Sequence, residues 1–176
     1  SLSSNTVGTE DNLTINWTAS DNWVLDSAFI DLIYPSITMR MDTVMAETGQ
    51  SIFAIPDSIV GSATVRVTVW DFLHNEAVAE EEIDIYDNTL PIISILTPTS
   101  GYSIPEYGDV TVTWAASDNI GVTQMGFYYS QDGSTFNLLG YVSSDASYTF
   151  NVGSGVTDNA KVKVIAEDTN DNTTEA

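Results

Sequence analysis

The sequence predicts an all-β chain made of two copies of one β-sandwich. Three observations carry this prediction: an internal repeat at a fixed offset, short alternating segments rich in β-branched residues, and no sustained helical periodicity with caps. The repeat is plainest where "NWTASDNWVLD" at 16–26 returns as "TWAASDNIGVT" at 113–123. At an offset of 97 residues, Trp17, Ala19, Ser20, Asp21 and Asn22 fall on Trp114, Ala116, Ser117, Asp118 and Asn119. The same offset brings Phe53 onto Phe150, and it brings Val65, Val67, Asp71 and Asn75 onto Val162, Val164, Asp168 and Asn172. The two copies are expected to meet near "YDNTLP" (86–91), giving domains 1–87 and 88–176.

Within each copy the elements follow from period-two patterning. "LTINW" (13–17) and "VTVTW" (110–114) alternate, as do "AFIDLIY" (28–34), "ATVRVTVW" (63–70) and "AKVKVIA" (160–166). "YYSQDGSTFNLL" (128–139) reads as a hairpin, with Asp132-Gly133 supplying the bend. Several strands in about 90 residues, punctuated by turns, make a sandwich.

These segments carry a resemblance. The strand "VTVTW", the loop "SDNIGV", the strand and turn "MGFYYSQDG" and the late "VKVIAEDTNDN" resemble bacterial immunoglobulin-like or fibronectin type III-like repeats. The fold class is then two tandem Ig-like sandwiches. The resemblance implies a secreted or cell-surface protein in which such repeats stand in strings. Cysteine is absent, so the inter-sheet disulfide of antibody domains is not available. By the repeat, the partner of "PIISILTP" (91–98) would precede Ser1, and the partner of "AEEEIDIY" (79–86) would follow Ala176. Copy 1 is thus expected to miss its first strand and copy 2 its last, cut from a longer array or supplied by another subunit.

Charge restricts the partners. Four Lys and Arg face 25 Asp and Glu, a formal charge of −21. Nucleic acid and anionic membrane surfaces both require a positive face, so neither is an expected partner. No segment approaches the ~18 apolar residues of a spanning helix, so no membrane insertion is expected. So much like charge works against a compact chain unless salt screens it or divalent cations bind among the carboxylates.

The loops say where such an ion would sit. In a sandwich of this topology, the loop after the second strand, the loop after the sixth and the lead-in to the first gather at one pole. In copy 2 these bring Asp118 and Asn119, Asp168, Asp171 and Asn172, and Asp87 and Asn88. Oxygen donors from three separate segments suit Ca²⁺, which takes six to eight of them, whereas Zn²⁺ favours Cys and His. A second, weaker site is expected in copy 1 at Asp21, Asn22, Asp71 and Asn75. Asp and Asn also populate loops simply because they form Asx-turns, and that reading stands beside the metal one. Cadherin and bacterial adhesin stalks resemble the arrangement envisaged, an inter-domain Ca²⁺ that stiffens a joint.

No nucleophile motif accompanies His74, the single histidine, so no enzyme is expected. The expected function is a structural extracellular module: an adhesin stalk, spacer or filament segment whose partners are neighbouring Ig-like repeats. Two alternatives stand beside it. One is a carbohydrate- or protein-binding accessory module of a secreted enzyme, using an aromatic patch of Trp23, Trp70 and Phe72 against a glycan or surface protein. The other is a self-assembling fibre subunit that exchanges strands.

Overall fold

A computed structural model describes residues 1–35, 37–143 and 146–176. The chain divides into two compact units, Ser1–Asp87 and Asn88–Ala176. In the first unit the strands are β1 (Thr6–Gly8), β2 (Asn12–Asn16), β3 (Leu25–Tyr34), β4 (Ile37–Met45), β5 (Gln50–Ala54), β6 (Gly61–Asp71) and β7 (Glu76–Tyr86). One sheet has the order β1-β7-β6-β3-β4, and β2 pairs with β5 in the other. All pairings are antiparallel except β1 with β7, which is parallel. Ahead of β1, Leu2 bridges to Ile15 in antiparallel sense.

Alternation in the sequence becomes the two sides of each sheet. Leu13 and Ile15 of β2 point inward with Phe53 of β5 and Ile55, and meet Ile30 and Leu32 of β3, Val65 and Val67 of β6, and Ile83 and Ile85 of β7. On the outer face Arg40 lies over the Phe29 ring at 3.9 Å and pairs with the buried Asp31 carboxylate. Trp70 packs tilted against the same Phe29 ring, centroids 6.5 Å apart. It therefore leaves the aromatic patch expected from sequence, and Trp23, Val24, Phe72 and Leu73 are the exposed apolar residues of that end. A single 3₁₀ turn, Ala46–Thr48, hands β4 to β5, and Gly49 closes it at φ 71°. A Cβ at Gly49 would meet the Trp17 carbonyl oxygen at 3.2 Å, so glycine is favoured on both conformational and steric grounds.

The second unit repeats the plan with β8 (Ile92–Thr97), β9 (Asp109–Ser117), β10 (Val122–Ser130), β11 (Asn137–Val142), β12 (Ser147–Asn151), β13 (Lys161–Asp168) and β14 (Thr173–Glu175). Its sheets run β12-β9-β8 and β11-β10-β13-β14. The offset of 97 thus matches β2 to β9, β3 to β10, β5 to β12 and β6 to β13. Trp114 is fully in the core, whereas its counterpart Trp17 is half-buried, with its indole Nε1–H donating to the Ala46 carbonyl at 3.0 Å. The pairing explains the difference: β9 is held by β8 as far as Ser117, while β2 ends at Asn16.

The β10–β11 hairpin shows how a short sequence fixes a register. Asp132 Oδ1 accepts from the backbone N–H groups of Thr135 (2.6 Å) and Ser134 (2.8 Å), and Oδ2 accepts from the Thr135 hydroxyl (2.8 Å). Gly133 takes φ 79°, where a Cβ would come within 2.7 Å of the Asn159 carbonyl oxygen. These donors, the Thr135 N–H foremost, hold the Asp132 carboxyl far below its ordinary value of 3.8. A depressed folded pKa contributes stability above the unfolded value and loses it as pH falls through the folded one. We therefore expect Asp132→Asn to lower Tm at pH 7, and the gap to wild type to shrink steadily below pH ~4. Thermal melts from pH 7 to pH 2 check this; a gap independent of pH would show that the carboxylate charge contributes nothing.

Candidate metal centre

Four of the carboxylates that the sequence singles out, Asp21, Asp71, Asp118 and Asp168, build their own loops first. After β13 the chain turns through Asp168-Thr169-Asn170-Asp171-Asn172. Asp168 Oδ1 accepts from the N–H of Asn170 (2.7 Å) and of Asn172 (2.9 Å), and Oδ2 accepts from the Asn172 side-chain amide (2.7 Å). Asp171 takes the left-handed φ of 66° that closes the turn, and it is exposed. After β6 the first unit does the same. Asp71 Oδ1 accepts from Leu73 N–H and Asn75 N–H, both at 2.8 Å, and Oδ2 from the Asn75 amide at 2.7 Å, while His74 sits at φ 65°. Those Asn75 bonds hold the Asp71 carboxyl below the usual range. The repeated Asp-x-x-x-Asn is thus a turn-building motif, and its repetition is explained before any ion is considered.

The loops after β2 and β9 are Asx-turns as well. Asp21 Oδ1 accepts from Trp23 N–H at 2.7 Å, and Asp118 Oδ1 accepts from the N–H groups of Ile120 and Gly121, each at 3.0 Å. Gly121 follows at φ 139°, a conformation open to glycine. What separates the two copies is the other oxygen. Asp21 is exposed, whereas Asp118 Oδ2 is buried and has no hydrogen-bond partner.

Asp87, the residue on which the first unit ends, is 3% exposed, and its Oδ1 accepts from the Thr9 hydroxyl at 3.2 Å. Thr9, itself buried, was not singled out by the sequence, since nothing in "VGTED" marks it as different from other loop threonines. One carboxylate oxygen from each of Asp87, Asp118 and Asp168 lies within 4.8 Å of the other two. Among the described residues these form the one group of three such acidic or His ligands. Asp168 is 2% exposed. Asn119 and Asn172 are half-buried beside these loops, and Asn88 is exposed. In the first unit Asp21, Asn22, Asp71 and Asn75 contribute only two carboxylates, and Asp21, Asp71 and Asn75 line an open depression.

The donor set fits a hard divalent cation. Three carboxylates, two of them nearly fully buried, stand together. Gathering carboxylate charge is costly, and a buried carboxylate oxygen with no hydrogen-bond partner, as Asp118 Oδ2 is, adds to that cost. Ca²⁺ takes carboxylate and amide oxygens from flexible loops, which is what these segments supply.

Fold and loop geometry together define a tandem of immunoglobulin-like, fibronectin III-like β-sandwich repeats. Residues 91–174 match the family model of the bacterial Ig domain. The chain is similar to a two-domain fibronectin type III segment from chicken tenascin, at 16% identity and a TM-score of 0.52, covering 100% of this chain and 94% of that one. It is also similar to fibronectin(III)-like modules of Clostridium thermocellum CbhA (14% identity, TM-score 0.46, 100% and 90% covered). A third likeness is to a tetra-tandem repeat from the extending region of a large adhesion protein (15% identity, TM-score 0.43, 100% and 46% covered). No curated protein matches the sequence. No helix among the described residues is long and apolar enough to cross a membrane.

Proposed function

We propose that this chain is a structural repeat module of an extracellular or cell-surface protein, a stalk, spacer or filament segment, and that Ca²⁺ held by Asp87, Asp118 and Asp168 stiffens the linker. The observation that carries this reading is the carboxylate trio, buried at Asp87 and Asp168, with the orphaned Asp118 Oδ2. Asn119, Asn172 and Asn88 supply further oxygens close in sequence, and Asp171 remains a reserve ligand on the rim. Because Asp87 leads from β7 into the second unit, an ion that gathers it with Asp118 and Asp168 fixes the residue on which a hinge would turn. The match to the bacterial Ig domain supports a role in tandem arrays. The formal charge of −21 supports a calcium-containing, saline medium, where such a surface is screened. Neighbouring repeats are then the principal partners, and the reading includes no catalysis. The pair Asp21 and Asp71, with Asn22 and Asn75, is a second and weaker cation site in this proposal.

The test is a set of thermal melts of the whole chain in EDTA, CaCl₂, MgCl₂ and NaCl of matched ionic strength. Ca²⁺ at about 100 times its Kd adds about 2.7 kcal/mol. For a unit of this size that is a rise in Tm on the order of 10–20 °C. Equal gains from NaCl and CaCl₂ would reduce the effect to general screening and end the calcium reading.

A further inference from the structure

We propose that Thr9 is a positioning residue of the calcium site assigned above, a role that rests on that reading. Its hydroxyl holds the Asp87 carboxylate in the orientation that takes the ion, so cation affinity and the pairing of β1 with β7 rise and fall together. The link starts in the register. Thr6, Val7 and Gly8 of β1 lie parallel to β7, opposite Asp84, Ile85 and Tyr86. One step further along both strands, the next pair is Thr9 and Asp87. The backbone carries the pairing that far, since Thr9 N–H donates to the Tyr86 carbonyl at 2.9 Å. Beyond Thr9 the turn is fastened as well: Glu10 N–H donates to the Ile55 carbonyl at 2.9 Å, and Asp11 N–H to the Gly8 carbonyl at 3.2 Å.

Burial and geometry then fix the side chains. Thr9 and Asp87 are both nearly inaccessible, so water does not compete for the bond between the Thr9 hydroxyl and Asp87 Oδ1. A β-branched side chain also has few χ1 wells, which keeps the hydroxyl aimed at its acceptor. At 3.2 Å the bond is longer than the ~2.5–2.7 Å of a hydroxyl closed tightly on a carboxylate. It orients Asp87 and leaves the carboxylate its charge, which is what a partner behind a metal ligand does.

The second unit shows that the turn itself does not demand threonine. At the offset of 97, Thr9 corresponds to Glu106 and Glu10 to Tyr107. Glu10 and Tyr107 take nearly the same left-handed φ, 63° and 61°, so the turn recurs with its left-handed residue in the same place. Yet Glu106 is exposed, and its carboxylate accepts from Gly155 N–H at 2.6 Å. A buried hydroxyl at this place is therefore no requirement of the fold, and in the first unit it serves the carboxylate beside it. Coupling follows from linkage: the factor by which the β1–β7 pairing strengthens ion binding is the factor by which the ion strengthens that pairing. With three residues, β1 is short enough to open locally before the rest of its sheet, so the coupling is read there.

The experiment is calorimetric titration of CaCl₂ into the full chain freed of divalent ions, for wild type, Thr9→Val and Thr9→Ser. Valine keeps the branched shape and removes the hydroxyl, whereas serine keeps the hydroxyl. Thr9→Val is expected to weaken Ca²⁺ binding about tenfold or more, and Thr9→Ser to stay within about threefold of wild type. In wild type, Ca²⁺ should slow hydrogen exchange of the Thr9 N–H by about threefold or more, an effect absent from Thr9→Val. A wild-type chain that takes up no Ca²⁺ would end the calcium reading and this inference with it. A wild type that binds Ca²⁺ while Thr9→Val binds it as tightly would overturn the role of Thr9 alone. So would a serine variant as weak as the valine one, or Thr9 exchange in wild type that is indifferent to the ion. Those last two measurements decide the matter even where Thr9→Val fails to fold.

Discussion

Asp118→Asn is expected to change sign with calcium. In EDTA the variant should melt at or a few degrees above wild type, and in saturating Ca²⁺ it should lose most of the on the order of 10–20 °C that the ion confers. Asparagine keeps the Asx-turn, because its Oδ1 accepts from Ile120 and Gly121 N–H as the aspartate does. What it replaces is Oδ2, the buried oxygen with no hydrogen-bond partner, on a carboxylate that stands with those of Asp87 and Asp168. Between two unit charges under 5 Å apart the repulsion is about 3–4 kcal/mol at an effective dielectric near 20, so removing one charge relieves the ion-free protein. The same charge is a ligand when the ion is present, and an amide oxygen or nitrogen in its place weakens binding. Melts of both proteins in EDTA and in CaCl₂ decide the matter. A loss of equal size in both media would assign Asp118 to turn-building alone.

That separation between turn and ion also explains what could be read from residues and what could not. The duplicated sandwich was legible because Trp17/Trp114, Val67/Val164 and the Asp-x-x-x-Asn turns recur at one offset, and alternation alone assigns β2, β6, β9 and β13. The carboxylate trio needed the topology, since residues 87, 118 and 168 are neighbours only once two loops and a lead-in share a pole. Individual ligands were beyond composition. Asp168 and Asp171 lie three apart in one acidic loop, yet the N–H groups of Asn170 and Asn172 turn the first inward. The left-handed backbone of the second leaves it exposed. Trp70 shows the same limit. It neighbours Phe72 in sequence, but strand alternation carries its ring to Phe29 on the outer sheet face.

Phe127→Ala is expected to be the most destabilising single substitution in the second unit. Phe127 is fully buried on β10, the strand flanked by β11 and β13. Its ring stacks on Tyr148 at 4.7 Å, lies tilted to Phe150 at 5.6 Å and is stacked with Trp114 at 6.1 Å. The offset of 97 shows why the slot is aromatic here. Its counterpart is Ile30, and the counterpart of Tyr148 is the small Ser51, so the second core fills with two rings what the first fills with aliphatic side chains. Truncation opens a cavity bordered by three rings that sit on paired strands and cannot collapse far. The cost is about 3–5 kcal/mol for the lost burial and cavity, with ~1 kcal/mol more from the aromatic pairs. Against a total of about 5–15 kcal/mol for a domain, this is enough to bring the unit near its unfolding midpoint at 37 °C. Phe127→Leu retains most of the volume and should cost about 1–2 kcal/mol. Hydrogen exchange of the β10 and β13 amides, with urea titration, reads the loss directly. A cost below ~1 kcal/mol for the alanine variant would mean the ring cluster is loosely packed and that the sandwich is held by its hydrogen-bonded sheets.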